Sequence, residues 1–245
     1  MSVHLEVSGG IMKNVVKAIE NINEECVWTF DSSGLHILMS DVYKYKMLEI
    51  NLSSEDMVSY ACDSPVELGI VIDRIKDVTK TLKTKDNLMI QYNDGETFIT
   101  LKSNGLSRSV KLIDTNMVGR VPSLQEAEVT LSSGYATAVD SAPLSSFLKA
   151  ASKAISFDAI TDSNGLTVTS STDEGLVEVV YSLDDIILKP QDYESNTNYS
   201  VSEVTAATSI MNGLIRVRGS QDGIIEFTWQ IGDASSVRAM VAPRV

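Results

Sequence analysis

Lysines at helical spacing are the residues of this chain most able to do chemistry. Lys13 and Lys17 stand four apart, Lys149 and Lys153 repeat that interval, and Lys76, Lys80 and Lys83 follow Arg74 in a third cluster. Placed at 100° per residue, the Lys13/Lys17 and Lys149/Lys153 pairs lie opposite an apolar stripe, and the Lys76, Lys80 and Lys83 cluster gathers on one flank. Such a face suits phosphate groups, which are held by charge without any reading of sequence. The chain as a whole carries −13, with 20 basic against 33 acidic residues. An acidic protein does not attract nucleic acid globally. Seven of its basic residues nevertheless sit on three helical faces, so placement matters more than the sum. Solvated faces of amphipathic helices also carry lysines, and the pattern alone admits both readings.

Catalysis finds little footing. His4 and His36 are the two histidines, each in a strand-like segment without an acidic or nucleophilic neighbour at useful spacing. Asp184-Asp185 reads as turn and solubility chemistry. There is no phosphate loop, nucleophile elbow or His-Cys metal set. No enzymatic activity and no cofactor are expected. Cys26 and Cys62 are isolated, which fits buried thiols in a reducing, intracellular compartment. No apolar run reaches the roughly 18–20 residues of a membrane span, and MSVHLEVSGG lacks the layout of a signal peptide, so no membrane association is expected.

Four helices must position the lysines. Gly10–Asn23 carries Ile11, Met12, Val15, Ile19 and Ile22 on one face. Val71–Lys83 buries Ile72, Ile75 and Leu82, and the third helix starts after Ala142 with Leu144, Phe147, Leu148, Ala151 and Ile155 as its stripe. Val201–Asn212 is the weakest, rich in Ser, Thr and Ala, without a lysine. Between them run strands: Cys26–Phe30, Leu35–Met39, Lys46–Leu52, Leu68–Ile70, Leu88–Tyr92, Thr97–Leu101 and Arg108–Ile113, then Gly134–Val139, Leu166–Ser170, Val177–Leu183, Leu214–Arg218, Ile225–Gln230 and Val237–Val241.

The chain repeats itself. DSSGLHI at 31–37 returns as DSNGLTV at 162–168, a turn of Asp, small polar residue and Gly leading into alternating apolar positions. A hairpin pattern around Asp94-Gly95 is echoed around Asp222-Gly223. The expected architecture is α+β, two similar domains of about 120 residues, each with two helices packed on mainly antiparallel sheets. Residues 1–113 and 129–245 are the domains, and Asp114–Glu128, which fits neither period, is the connector.

The runs INEECVWTFDSSGL (Ile22–Leu35), SDVYKY (Ser40–Tyr45), YACD (Tyr60–Asp63) and VAPRV (Val241–Val245), taken in order, resemble the proliferating cell nuclear antigen family of DNA sliding clamps. The resemblance implies ring-forming trimers of two-domain subunits, strands outside and helices lining a hole that passes double-stranded DNA. The lysine faces would then point inward: Lys13, Lys17, Arg74, Lys76, Lys80, Lys83, Lys149 and Lys153. It implies a pocket for short peptide motifs of DNA polymerase, the clamp loader and other replication and repair proteins. Its positions would be Ser40, Lys44, Tyr45 and Met47, Val118, Val121 and Pro122 from the connector, and Ala242, Pro243, Arg244 and Val245. It implies a subunit joint pairing the strand with Arg108, Val110 and Leu112 against Val177, Val179 and Tyr181 of the next subunit, closing both sheet edges. Two departures bear on partner choice: Ser40 stands where the family has Met, and Lys44-Tyr45 where His-Val is commoner.

Three functional readings follow: a homotrimeric sliding clamp and processivity factor; one subunit of a heterotrimeric clamp; or, from another class, an acidic β-rich structural protein whose lysines are merely solvated. The clamp would act in a nucleus, a nucleoid or a viral replication site according to its source.

Overall fold

The computed structural model describes residues 1–173, 175–186 and 194–244. Two compact units emerge. The first holds Met1–Val42, Leu48–Val121 and Gln230–Val237, and the second holds Tyr43–Met47, Pro122–Trp229 and Arg238–Val245. The main cut therefore falls inside the expected connector, and two short segments are exchanged between the expected domains.

The first unit contains β1 (Ser2–Ser8), α1 (Gly9–Glu20), β2 (Glu25–Asp31), β3 (Gly34–Ser40), β4 (Lys46–Ser53, from Leu48), β5 (Ser59–Cys62), β6 (Val66–Val71), α2 (Ile72–Thr79), β7 (Asn87–Asn93), β8 (Phe98–Ser103) and β9 (Leu106–Lys111). One antiparallel sheet runs β5-β1-β7-β8-β9, and β4, β3, β2 and β6 are neighbours in another. Alternate strand positions point inward, so Leu5, Trp28, Phe30, Leu35 and Ile37 are buried, as are Met12 and Ile19 of α1.

The second unit contains α3 (Leu124–Ser132), β10 (Tyr135–Asp140), α4 (Ser141–Ala150), β11 (Ser156–Asp162), β12 (Gly165–Thr172), β13 (Gly175–Ser182), β14 (Ser195–Ser200), α5 (Val201–Ala207), β15 (Leu214–Gly219), β16 (Ile225–Gln230) and β17 (Ser236–Val241, from Arg238). Its sheets run β13-β12-β11-β14 and β10-β15-β16-β17. Phe157 stands edge-on to Phe147 at 5.6 Å and tilted against Tyr199 at 5.9 Å, in a core shared with Phe227 and Trp229.

The repeated turns are built alike. Asp31 Oδ1 accepts the Ser33 N–H at 2.7 Å and Asp162 Oδ1 the Asn164 N–H at 2.7 Å, while Gly34 and Gly165 open β3 and β12. Both expected hairpins form, β7 with β8 and β15 with β16.

Several expectations need correction. α2 ends at Thr79 rather than Lys83, because the hydroxyls of Thr79 and Thr81 donate to the carbonyls of Lys76 and Val78 and compete with helix propagation. α5 stops at Ala207, and Thr208 bonds the Val204 carbonyl in the same way. α1 ends at Glu20, with Asn21 as its C-cap. α4 ends at Ala150, so Ile155 leaves the apolar stripe and is 73% exposed. Residues 124–128 of the expected connector begin α3, whose N-cap Ser123 accepts the Gln125 N–H. Strands β1, β5, β11 and β14 were not expected from periodicity.

Asp56 organises the 232–235 turn of the first unit. Its carboxylate accepts the N–H groups of Asp233 and Ala234, both at 3.0 Å, and the Ser235 hydroxyl. Desolvation opposes its ionisation, but the Ser235 hydroxyl and the turn amides outweigh it and hold its pKa below the ordinary carboxylate value. A depressed folded-state pKa contributes stability above the unfolded value, near 4, that is lost as pH falls through the folded one. Asp56→Ala is expected to cost about 2 kcal/mol at neutral pH and to flatten the acid limb of stability below about pH 4. Urea melts at pH 7 and pH 3 check this; an equal loss at both would overturn it.

Candidate functional site

The basic groove of the first unit lies between α1 and α2. Met12, Val15, Val16 and Ile19 turn α1 inward, which leaves Lys13 and Lys17 on its other side. Ile72, Ile75 and Val78 do the same for α2, leaving Lys76 and Lys80 outward. Lys13, Lys17, Lys76 and Lys80 line one open groove of about 260 Å³ with Val16, Glu20 and Thr79. Glu20 tempers it: its Oε2 lies 2.5 Å from Lys76 Nζ, and that hydrogen bond raises the lysine's pKa.

Other expected phosphate contacts lie elsewhere. Arg74 donates from Nη1 to the Lys111 carbonyl at 2.7 Å, a contact within its own unit. Lys83 lies beyond the end of α2, exposed. In the second unit Lys149 is exposed in the last turn of α4, and Lys153 follows the helix, beside a shallow hollow with Ile155 and Asp173. The sequence of α5 offers no lysine, and its Glu203 pairs with Lys46 at 2.5 Å. The basic face is thus concentrated in the first unit.

A second site is wholly within the second unit. A cavity of about 240 Å³ brings Lys44, Tyr45, Met47, Pro122 and Ala242 together, five of the expected pocket residues. The Ala242 N–H donates to the Tyr45 carbonyl at 2.8 Å and fixes two of its walls. Ser40, Val118 and Val121 belong to the first unit and do not line this cavity; Ser40 is buried and its carbonyl accepts from Asn23. Pro243 and Arg244 do not line it either, the Arg244 N–H being taken by the Asn198 carbonyl at 2.8 Å. Val245 lies outside the described residues. Sequence reading missed Lys46, Ile224, Met240 and the α3 side, Ser123, Glu126, Ala127 and Thr130. The signal was present in the 123, 126, 127, 130 spacing, one stripe of a helix. At the rim, exposed Tyr43 stacks on Tyr45 at 6.0 Å, with Lys44 between them at a φ of 61°.

Behind α3 sits a four-charge network. Arg218 donates from Nε to Glu226 Oε1 at 2.7 Å and from Nη1 and Nη2 to both Glu128 oxygens at 3.0 and 2.9 Å. Arg238 bonds the same two carboxylates. Arg218's hydrogen bonds, aided by the charge of Arg238, hold the Glu128 pKa below the usual range against desolvation.

The expected joint residues divide. β9 and β13 are sheet edges, but Val110 and Tyr181 point into the core. Tyr181 is a core strut: its hydroxyl donates to the Asp140 carbonyl at 2.9 Å and accepts the Leu144 N–H, and burial pushes its pKa up to about 12. On β13 strand alternation turns Leu176, Glu178 and Val180 outward instead. Leu176 and Val180, 66% and 54% exposed, and Leu106 are the apolar residues presented. Arg108, Val177 and Val179 are half-buried, Arg108 pairing with Asp77 at 3.2 Å. Leu112 lies past the end of β9, its N–H on the Thr97 carbonyl.

His4 is exposed on β1, and the His36 ring lies 2.7 Å from both Asn51 Oδ1 and Ser33 Oγ. Cys26 is buried, its thiol pushed up to about 12 by desolvation. Among the described residues no group of three or more His, Cys, Asp or Glu is placed to hold a metal ion. Likewise, no helix among them is long and apolar enough to cross a membrane.

Residues 3–118 match the family model described as proliferating cell nuclear antigen, N-terminal domain. The chain is 27% identical over 123 residues to a DNA polymerase sliding clamp of Archaeoglobus fulgidus, and the match spans about half the length of each chain (50%). In fold it is similar to the A. fulgidus proliferating cell nuclear antigen solved with the C-terminal region of FEN-1. The TM-score is 0.88 at 20% identity, covering 99% of this chain and 98% of that one. The Thermococcus kodakaraensis homologue gives 0.85 at 19% identity, covering 99% and 100%. Residues 3–118 thus match the N-terminal domain of the proliferating cell nuclear antigen family, and the whole chain shares the two-domain α+β clamp fold.

Proposed function

We propose that the chain is the subunit of a homotrimeric sliding clamp that surrounds duplex DNA and tethers a polymerase, a clamp loader and other replication and repair enzymes. The observation that carries this is the α1–α2 groove, where four lysines of a chain with a net charge of −13 line one hollow. Phosphate-directed lysines bind any sequence and release easily, which is what movement along a duplex requires. Glu20, paired to Lys76, keeps that grip weak. The largely apolar cavity beside Tyr45, Met47 and Met240 suits a short peptide anchored by apolar side chains. A tether of this kind acts by raising a partner's local concentration on DNA, without turnover of its own.

Replacing Lys13, Lys17, Lys76 and Lys80 together by Gln is expected to cut stimulation of primer extension by tenfold or more. Molar mass by light scattering should stay constant near three subunits, and the melting midpoint should not move. Undiminished stimulation would sink the DNA-facing assignment. A persistent monomer that trimerises only with paralogues would replace the homotrimer by a heterotrimeric ring, and ATPase or nuclease turnover would exclude a purely passive tether.

A further inference from the structure

α3 is nine residues long, and a helix of that length is marginal in water unless tertiary contacts hold it. Its buried residue is Leu131. Glu126, Ala127 and Thr130, together with the N-cap Ser123, face the cavity. Glu128 does not line it; three residues before Leu131, it reaches the Arg218 and Arg238 guanidinium groups.

We propose that Glu128 is a positioning residue that keeps α3 folded as a preformed wall of the peptide cavity. Peptide affinity then depends on a carboxylate that does not line the cavity. This rests on the peptide-pocket reading above. Arg218 grips Glu128 through two parallel N–H bonds, which fix direction as well as distance. The grip is rigid because both guanidinium groups are held from the sheet by Glu226, which is 2% exposed. Without Glu128 the helix keeps Leu131 as its one buried anchor, and the wall is formed for only part of the time. Apparent affinity falls by that fraction.

The test uses the full chain and a fluorescein-labelled synthetic peptide of the A. fulgidus FEN-1 C-terminal region, read by anisotropy. Hydrogen exchange of residues 124–132 is followed without peptide. Glu128→Gln is expected to lower exchange protection across 124–132 while the amides of β15 and β16 keep theirs, and to raise the peptide Kd about tenfold. Adding Val129→Ala, on the exposed face, should recover part of both effects, because Ala favours the helix over Val. Where Glu128→Gln does not fold, Val129→Gly weakens the helix without touching the network and should raise the Kd in the same way. Unchanged protection of 124–132 overturns the inference, as does a loosened α3 with unchanged Kd. Failure of the wild-type chain to bind the peptide, with α3 still responding to Glu128→Gln in exchange, would overturn the pocket reading and the affinity claim with it. That outcome is distinguishable from a failed anchor.

Discussion

Gly34→Ala is expected to destabilise the protein by about 3–4 kcal/mol, and Gly165→Ala by as much, each acting in its own unit. Gly34 has a φ of 142° and Gly165 one of 137°, a region that side chains rarely occupy, with a backbone cost of order 1–3 kcal/mol. Space is the second obstacle. A Cβ on Gly34 would lie 2.1 Å from the Leu52 carbonyl oxygen, and one on Gly165 would lie 2.0 Å from that of Tyr181. Neither oxygen belongs to a flexible side chain; each is strand backbone, in β4 and β13. Relief would require a strand to shift, an overpacking cost of a further 1–3 kcal/mol or so. Gly105 separates the two terms. Its φ is 78°, but nothing lies within 4 Å of the Cβ that an alanine would add there, so Gly105→Ala should cost only about 1 kcal/mol. Urea midpoints of the three variants check this. Equal losses at Gly34 and Gly105 would show that the carbonyl contact is irrelevant.

The repeated motif was legible for the same reason that these glycines are irreplaceable. Asp, small polar residue and Gly must recur where one turn geometry recurs, and 31–34 and 162–165 repeat it. The lysine face was legible because period 3.6 separates Met12 and Ile19 from Lys13 and Lys17 without reference to any neighbour. What remained hidden depends on neighbours. Strand β14, SNTNYS, has no apolar alternation, yet it is held by pairing with β11 and buries Ser195 and Thr197 through hydrogen bonds to Thr161 and the Ser220 carbonyl. The outward parity of β13 is a register property, invisible until Leu166 is seen opposite Tyr181. α3 went unread because it is short, it buries Leu131 alone, and much of its anchoring is ionic. Arg218 and Glu226 could have been paired from sequence, since the hairpin turning at Asp222-Gly223 places them directly opposite. Arg238 and Glu128 arrive from distant segments and could not.

That network carries the second large effect. Glu226→Gln is expected to cost about 3–5 kcal/mol, the range for breaking a buried ion pair by removing one partner. Arg218 and Arg238 are 15% and 16% exposed, so both charges would stay largely buried with one carboxylate fewer to offset them. The cost arises from the charge left behind more than from the bonds lost. Arg218→Met combined with Glu226→Leu removes one charge of each sign and leaves Arg238 with Glu128. It should therefore be more stable than Glu226→Gln alone, although it deletes more hydrogen bonds. Chemical denaturation of the single and double variants measures the coupling, expected at about 1–3 kcal/mol; additive losses would refute the argument. Glu128 belongs to the same network but is half-exposed, and water screens the charge that its loss would leave. Glu128→Gln should therefore cost less global stability than Glu226→Gln while moving α3 and the cavity wall more. Two carboxylates that share the same arginines then divide their roles, Glu226 holding the sheet together and Glu128 fixing what leans against it.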